Sequence, residues 1–265
     1  MRIIRTIPYF NWGLFMAVDS GKRVRLSAMF DAAHDYRLLL SRGYPLSHAL
    51  NMVSQHYLLN EYERLLLFRC VHSSKYVHET TRKLFCPNGE NLSSKVLVID
   101  FYNIILTILA MIKSEDVYLC DDCLVRDLRG SKIRSGEREL LDRVFNTIAD
   151  ILANYRNVFA EIIVVADKNV SHSLDDVREF SNTLRKVSQE ARVTFILSPT
   201  PDSKTVSMAT NSVIASTDSV IIENSYRILP LTTLALHSMG LKPVIDFANI
   251  FGYTCQYCDS KSQTC

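Results

Sequence analysis

Glycine is scarce in this chain. Only eight occur in 265 residues, and none falls in a Gly-rich phosphate loop. The nucleotide-fold fingerprint, which needs glycines where backbone approaches phosphate, is therefore absent. An excess of charge of one sign is missing too. The 30 basic and 28 acidic side chains leave a formal net charge of +2, so any grip on a polyanion must come from local patches and not from the whole-molecule field. Long hydrophobic runs are also lacking. The longest apolar stretch, Ile104–Ile112, falls far short of the roughly 20 residues a spanning helix requires. Met1 to Trp12 carries two arginines and a proline without a small-residue cleavage site, a poor signal peptide. These absences give the expectation of a cytoplasmic protein with no membrane partner. The histidines are scattered. His34 and His48 read as packing or surface residues on helical faces, and no Ser-His-acid order is convincing.

There are seven cysteines, an odd number. Cys120 and Cys123 form one close pair, Cys255 and Cys258 another. Four thiolates on one zinc, disulfides, or free thiols are the alternatives. The 131 residues between the pairs weigh against zinc, because zinc knuckles keep their halves close in sequence. A thiol redox role ranks last, since neither pair opens a helix after a strand.

The sequence divides into a mainly helical N-terminal module (1–90), an α/β domain (91–254) and a Cys-containing tail (255–265). Ile3, Ile4, Ile7, Phe10, Trp12, Leu14 and Phe15 suggest short strands at the start, with a turn at Gly21–Arg23. From Ser27 to about Phe85 the period is helical. Ser27 is the expected cap of a helix that Gly43 stops; Pro45 suits the first turn of a second; Asn60 with Glu63 reads as a capping box opening a third. Cys86-Pro87-Asn88-Gly89 is the expected break.

Beyond it the pattern alternates. Lys95–Asp100, Ile162–Asp167, Val193–Leu197 and Ser212–Ser216 read as buried strands, and Asp116–Cys120 as a further one. Helices are expected over Glu137–Asn154, from a Ser173 cap, and over Ser203–Thr210. Val220–Ile222 and Arg227–Leu229 read as a closing hairpin. Such alternation predicts a parallel sheet flanked by helices on both faces.

In open parallel sheets ligands bind outside the carboxyl ends of the strands. Asp100, Asp167 and Asp218 stand at or just beyond such ends, and Asp202 opens the helix after the third strand. Several carboxylates on one edge repel one another unless a cation intervenes, and oxygen-only ligands suit Mg²⁺ or Mn²⁺. Asp121-Asp122-Cys-Leu-Val-Arg126-Asp127-Leu-Arg129-Gly-Ser-Lys132-Ile-Arg134 reads as a further metal ligand, Asp122 or Asp127, beside a phosphate-gripping basic loop.

Val96-Leu-Val-Ile-Asp100-Phe-Tyr-Asn103 resembles the opening strand of PIN-like nucleases of the NYN branch, with Phe101 where that branch has glycine. Thr200-Pro-Asp202-Ser-Lys and Ala215-Ser-Thr-Asp218 resemble the later acidic pair of the same superfamily, and Val164-Val-Ala-Asp167 its acid-ended middle strand. Phe30-Asp-Ala-Ala-His34-Asp-Tyr36-Arg37 through Tyr44, Glu63-Arg64-Leu-Leu-Leu, and Leu119-Cys-Asp121-Asp122 with Val125-Arg126-Asp127 resemble the archaeal domain-of-unknown-function family 434, over nearly the whole chain. The first resemblance implies a PIN-like fold and a metal-dependent nuclease, with RNA the favoured substrate. Asp100, Asp122, Asp202 and Asp218 would hold one or two Mg²⁺ or Mn²⁺ ions, with Asp127 and Asp167 as alternates, and Asn103 would orient a ligand or water. Arg126, Arg129, Lys132 and Arg134 would track the nucleic acid, and the N-terminal part would be a platform or a homodimer surface. The alternative is a non-catalytic nucleic-acid or protein-binding scaffold, toward which Phe101 leans.

Overall fold

The computed structural model describes residues 24–85, 95–130, 133–154, 158–188 and 190–255. The expectations for residues 1–23, the Cys86–Gly89 break, Lys132 and the tail from residue 256 lie outside the described residues.

Four helices come first: α1 (Leu26–Ser41), α2 (Leu46–His56), α3 (Glu61–Cys70) and α4 (Ser74–Lys83). Gly43, at φ +83°, ends the first by taking the left-handed conformation that costs glycine least. The Asn60 side chain accepts from the Glu63 N–H at 2.9 Å while Glu63 accepts from the Asn60 N–H at 3.0 Å, the expected capping box. Ser27 is not a cap, because Arg25 occupies that position. The Arg25 N–H and guanidinium turn instead to the buried carboxylate of Glu63, at 2.9 and 2.7 Å. Pro45 sits one place outside its helix, at the N-cap. The fourth helix starts at a separate cap, Ser73, which accepts from the Tyr76 N–H.

The α/β part runs β1 (Lys95–Asp100), α5 (Phe101–Ile112), β2 (Val117–Leu119), β3 (Val125–Asp127), a 3-10 turn at Arg138–Leu140, α6 (Leu141–Ala153), β4 (Phe159–Asp167), α7 (Ser173–Val187), β5 (Arg192–Ser198), α8 (Pro201–Met208), β6 (Val213–Ala215), α9 (Ser219–Asn224), β7 (Arg227–Ile228), α10 (Leu231–Ser238), β8 (Ile245–Asp246) and α11 (Phe247–Ile250). Five strands make one sheet in the order β5-β4-β1-β6-β7, and every pairing in it is parallel. The fold is therefore mixed α/β, with helices on both sheet faces. Leu97 and Ile99 pack on the side of α5, α6 and α7, whereas Val98 packs with Ile214, Ala209 and Ile221 on the side of α8 and α9. That is the alternation a doubly covered strand requires.

The expected closing hairpin does not form. Val220–Ile222 lies in α9, because the Asp218 carboxylate accepts from the Val220 and Ile221 N–H groups at 2.9 and 3.1 Å and starts a helix there. β7 then joins β6 in parallel. Ser173 is the first residue of α7 and not its cap; His172 precedes it at φ 64°.

A second, three-stranded sheet, in the order β3-β2-β8, carries the N-terminal helices. Met29, Ala33, Tyr36, Leu66 and Leu67 share one core with Tyr118, Cys120, Ile245 and Phe247. Among the described residues no helix is long and apolar enough to cross a membrane.

Candidate functional site

β1 and β6 are neighbours, yet the chain reaches β6 only after building β4 and β5 on the far side. Strand order reverses between them, and the crevice outside the carboxyl ends at such a point is where parallel sheets bind ligands. A cleft of about 570 Å³ opens there, lined by Asp100, Asp127, Asp167, Asp202 and Asp218 with Asn103, Thr107, Tyr102, Arg69 and Arg129.

Asp100 ends β1 and is 4% exposed. One of its oxygens accepts from Asn103 Nδ2 and from Ser216 Oγ, each at 2.6 Å. Burial pushes its carboxyl up to about 6, and the charges of Asp202 and Asp218 push the same way against those two hydrogen bonds. Ser216 also accepts from the Asp218 N–H at 3.1 Å, so one hydroxyl ties the tips of β1 and β6 together. Partial burial and the charges of Asp218 and Asp167 raise the Asp202 carboxyl as well. Asp167 ends β4 and accepts from the Asn169 N–H at 2.8 Å. Asp127 ends β3 and accepts from Thr107 Oγ1 at 2.7 Å and from the Arg129 N–H at 2.8 Å. Among the described residues none of these five carboxylates forms an ion pair.

Phe101, which follows Asp100, is fully buried and packs against Phe180 and Phe145, with ring centroids 5.4 and 6.1 Å away. Its side chain belongs to the core and not to the cleft wall.

Asp122 is elsewhere. It lies with Asp121 in the turn between β2 and β3, both fully buried, and meets Arg126 in a two-pronged pair of 2.7 and 2.6 Å. Burial alone would raise its carboxyl, but the Arg126 charge overrides this and holds it below the ordinary range. Arg126 Nε donates in turn to the Thr217 carbonyl at 2.8 Å. Asp121 accepts from Arg37 at 2.7 Å, from the His72 N–H at 2.7 Å, and faces His72 Nδ1 at 2.6 Å. His72, Asp121 and Asp122 have ligand atoms within 4.8 Å of one another, the one such trio among the described residues. Each of its carboxylates already holds an arginine, so the trio is an ion-pair hub that leaves no negative charge for a metal. The cleft carboxylates are spaced more widely than that. This suits an ion that keeps waters and takes phosphate oxygens, as Mg²⁺ does, and not a closed protein cage.

The basic loop divides similarly. Arg126 is locked in the hub. Arg129 lies on the cleft wall but is held by Glu137 at 2.5 Å and faces Glu115 at 3.6 Å. Arg134 is exposed, pairs with Glu115 at 3.3 Å, and is not on the cleft wall. Sequence reasoning missed Ser216, although a hydroxyl between a strand end and an acid is a readable signal. It also missed Thr107 and Arg69, which no local pattern marks.

Of the alternatives for the cysteines, the structure has a disulfide taking one member of each close pair, Cys123–Cys255. Cys120 turns the other way, its sulfur 2.6 Å from that of Cys70, both as buried thiols. Cys258 lies outside the described residues.

Residues 89–234, more than half of the chain, match the family described as "Domain of unknown function (DUF5616)". Residues 28–83 match "Protein of unknown function (DUF434)", so the resemblance to that family holds over this stretch and not over the whole chain. No PIN or NYN nuclease family matches the chain. An uncharacterized protein of Methanocaldococcus jannaschii is 30% identical over 193 residues, which cover 73% of this chain and 88% of that protein. No solved structure matches. The chain belongs to the DUF5616 family, and carries a DUF434 segment ahead of that domain on the same polypeptide.

Proposed function

We propose that the cleft is the divalent-metal site of a nuclease that hydrolyses phosphodiester bonds, with RNA the favoured substrate. The observation that carries this reading is the environment of Asp100. A buried carboxylate stands at the reversal point of a parallel sheet, beside Asp202 and Asp218, and among the described residues no lysine or arginine pairs with any of the three. Burying such a charge is costly unless something neutralises it. An oxygen-only donor set suits Mg²⁺ or Mn²⁺. Asp100, Asp202 and Asp218 would hold the metal, with Asp127 and Asp167 at the margins and Asp122 outside the set.

A bound divalent ion would supply a hydroxide nucleophile and charge stabilisation at the scissile phosphate. The chain's own groups set the stage for this. Asn103 and Ser216 both donate to one oxygen of Asp100 and so leave the other directed by that pair. Asp218 spends one oxygen on the first turn of α9 and keeps the second free of partners among the described residues. The resemblance of the Asp100 and Asp202/Asp218 motifs to PIN-like nucleases supports the same reading.

The test is cleavage of a single-stranded oligouridylate by the full chain in Mg²⁺ or Mn²⁺. Cleavage is expected, with Asp100→Asn slower by roughly 100- to 1,000-fold. A wild-type chain inert towards RNA and DNA with either metal, or an equally active Asp100→Asn, overturns the reading and leaves the scaffold alternative.

A further inference from the structure

The cleft gathers Asp100, Asp202 and Asp218 at one end and carries Asp127 at the other, and its substrate in the reading above is a polyanion. Its wall carries two arginines, Arg69 and Arg129. Arg129 is almost wholly buried and already committed to Glu137 and Glu115. Arg69 differs in every respect. It is exposed, pairs with no carboxylate among the described residues, and donates one N–H, from Nη1, to the main-chain carbonyl of Asp127 at 3.1 Å. That bond holds the guanidinium at the end of β3 and, among the described residues, leaves its other donors open. A guanidinium so placed is suited to a phosphate.

Its distance from the acids follows from α5. Asp100 caps that helix and Thr107, which bonds Asp127, lies two turns along it. At about 1.5 Å per residue, the two ends of the cleft are roughly 10 Å apart. A stacked strand advances about 3.4 Å per nucleotide, so a phosphate at the acids and one at Arg69 belong to different nucleotides of one strand.

Resting on the nuclease reading, we propose that Arg69 binds a backbone phosphate of a single-stranded nucleic acid whose scissile phosphate lies at Asp100. The substrate site is then composite. Arg69 comes from the last turn of α3, inside the segment that matches DUF434, and the acids come from the part that matches DUF5616. In this proposal α3 contributes one side chain, Arg69, to the wall of the cleft.

The experiment measures binding of a fluorescent single-stranded oligouridylate, and in parallel an oligothymidylate, to the full chain in Ca²⁺ across a salt series. Mn²⁺ calorimetry is run on the same proteins. Arg69→Ala is expected to weaken both oligonucleotides about five- to tenfold and to lower the salt slope by about 0.7, with Mn²⁺ binding unchanged. Equal loss on both strands marks a phosphate contact and not a sugar contact. Arg69→Lys, which keeps the charge, is expected to retain the wild-type slope. Wild-type affinity and slope in Arg69→Ala overturn the inference while leaving the nuclease reading intact. So does a wild-type chain that binds Mn²⁺ but neither oligonucleotide. Absence of Mn²⁺ binding in the wild-type chain overturns the nuclease reading itself, and the composite site with it.

Discussion

Asp121 and Asp122 lie in the turn between β2 and β3, while Asp100, Asp202 and Asp218 lie where the strands of the larger sheet end. Both groups bring carboxylates together, buried in the turn and, in the cleft, grading from the buried Asp100 to the half-buried Asp218 and the exposed Asp202. At the turn, Arg37 and Arg126 answer the charge, and the Asp122 carboxyl is held low. In the cleft, among the described residues, no arginine or lysine pairs with Asp100, Asp202 or Asp218, and burial raises the Asp100 carboxyl to about 6. The difference teaches that closeness of acids does not mark a metal site. The metal proposed for the cleft rests instead on acids that, among the described residues, carry no ion pair at a place a ligand can reach. By spacing alone the turn would be chosen; charge balance is what favours the cleft in the function proposed above.

Removing one acid from each place should therefore have opposite effects on stability. Asp122→Ala strands Arg126 in the core without a partner, and is expected to lower unfolding free energy by about 3–5 kcal/mol in urea titration. A loss below about 1 kcal/mol would break the comparison, since it would mean that the pair is not buried as drawn. Asp100→Asn removes a charge that burial disfavours. Because the folded carboxyl titrates above the unfolded value, its contribution to stability is fully present below about pH 3.9 and is lost as pH rises through about 6. Asp100→Asn should thus be more stable than wild type at pH 7.5 by about 3 kcal/mol, and the gap should close near pH 4. A variant less stable than wild type at both pH values would contradict that sign. The smallest effect is expected at Arg134, an exposed partner of Glu115. Arg134→Ala should change stability by less than about 1 kcal/mol and leave oligonucleotide affinity within twofold, whereas Arg69→Ala should not.

What was legible in the sequence followed from local chemistry. Lys95–Asp100 announced both a buried strand and its acid, because a β-branched run ending in Asp needs no distant partner to be recognised. The Asn60–Glu63 capping box was readable for the same reason: its two hydrogen bonds span three residues. Asp122 reads identically to Asp100 in sequence, an acid just past a short strand. Its fate was decided by Arg126 on the returning strand and by the neighbouring Asp121 finding Arg37 and His72 from the helical segment. Long-range pairing of that kind leaves no periodic trace. The Val220–Ile222 run, apolar and β-branched, favoured a strand until the Asp218 carboxylate captured its N–H groups; there a cap overrode propensity. Arg69 was invisible because it reaches the cleft from a different segment of the chain than the acids that line it.

Mn²⁺ calorimetry on the full chain, on Asp218→Asn and on His72→Ala tests the central claim most directly. Binding that survives His72→Ala and is lost in Asp218→Asn is the result predicted, since it places the cation in the cleft and none in the turn. Binding that is untouched by Asp218→Asn, or abolished by His72→Ala, would contradict it.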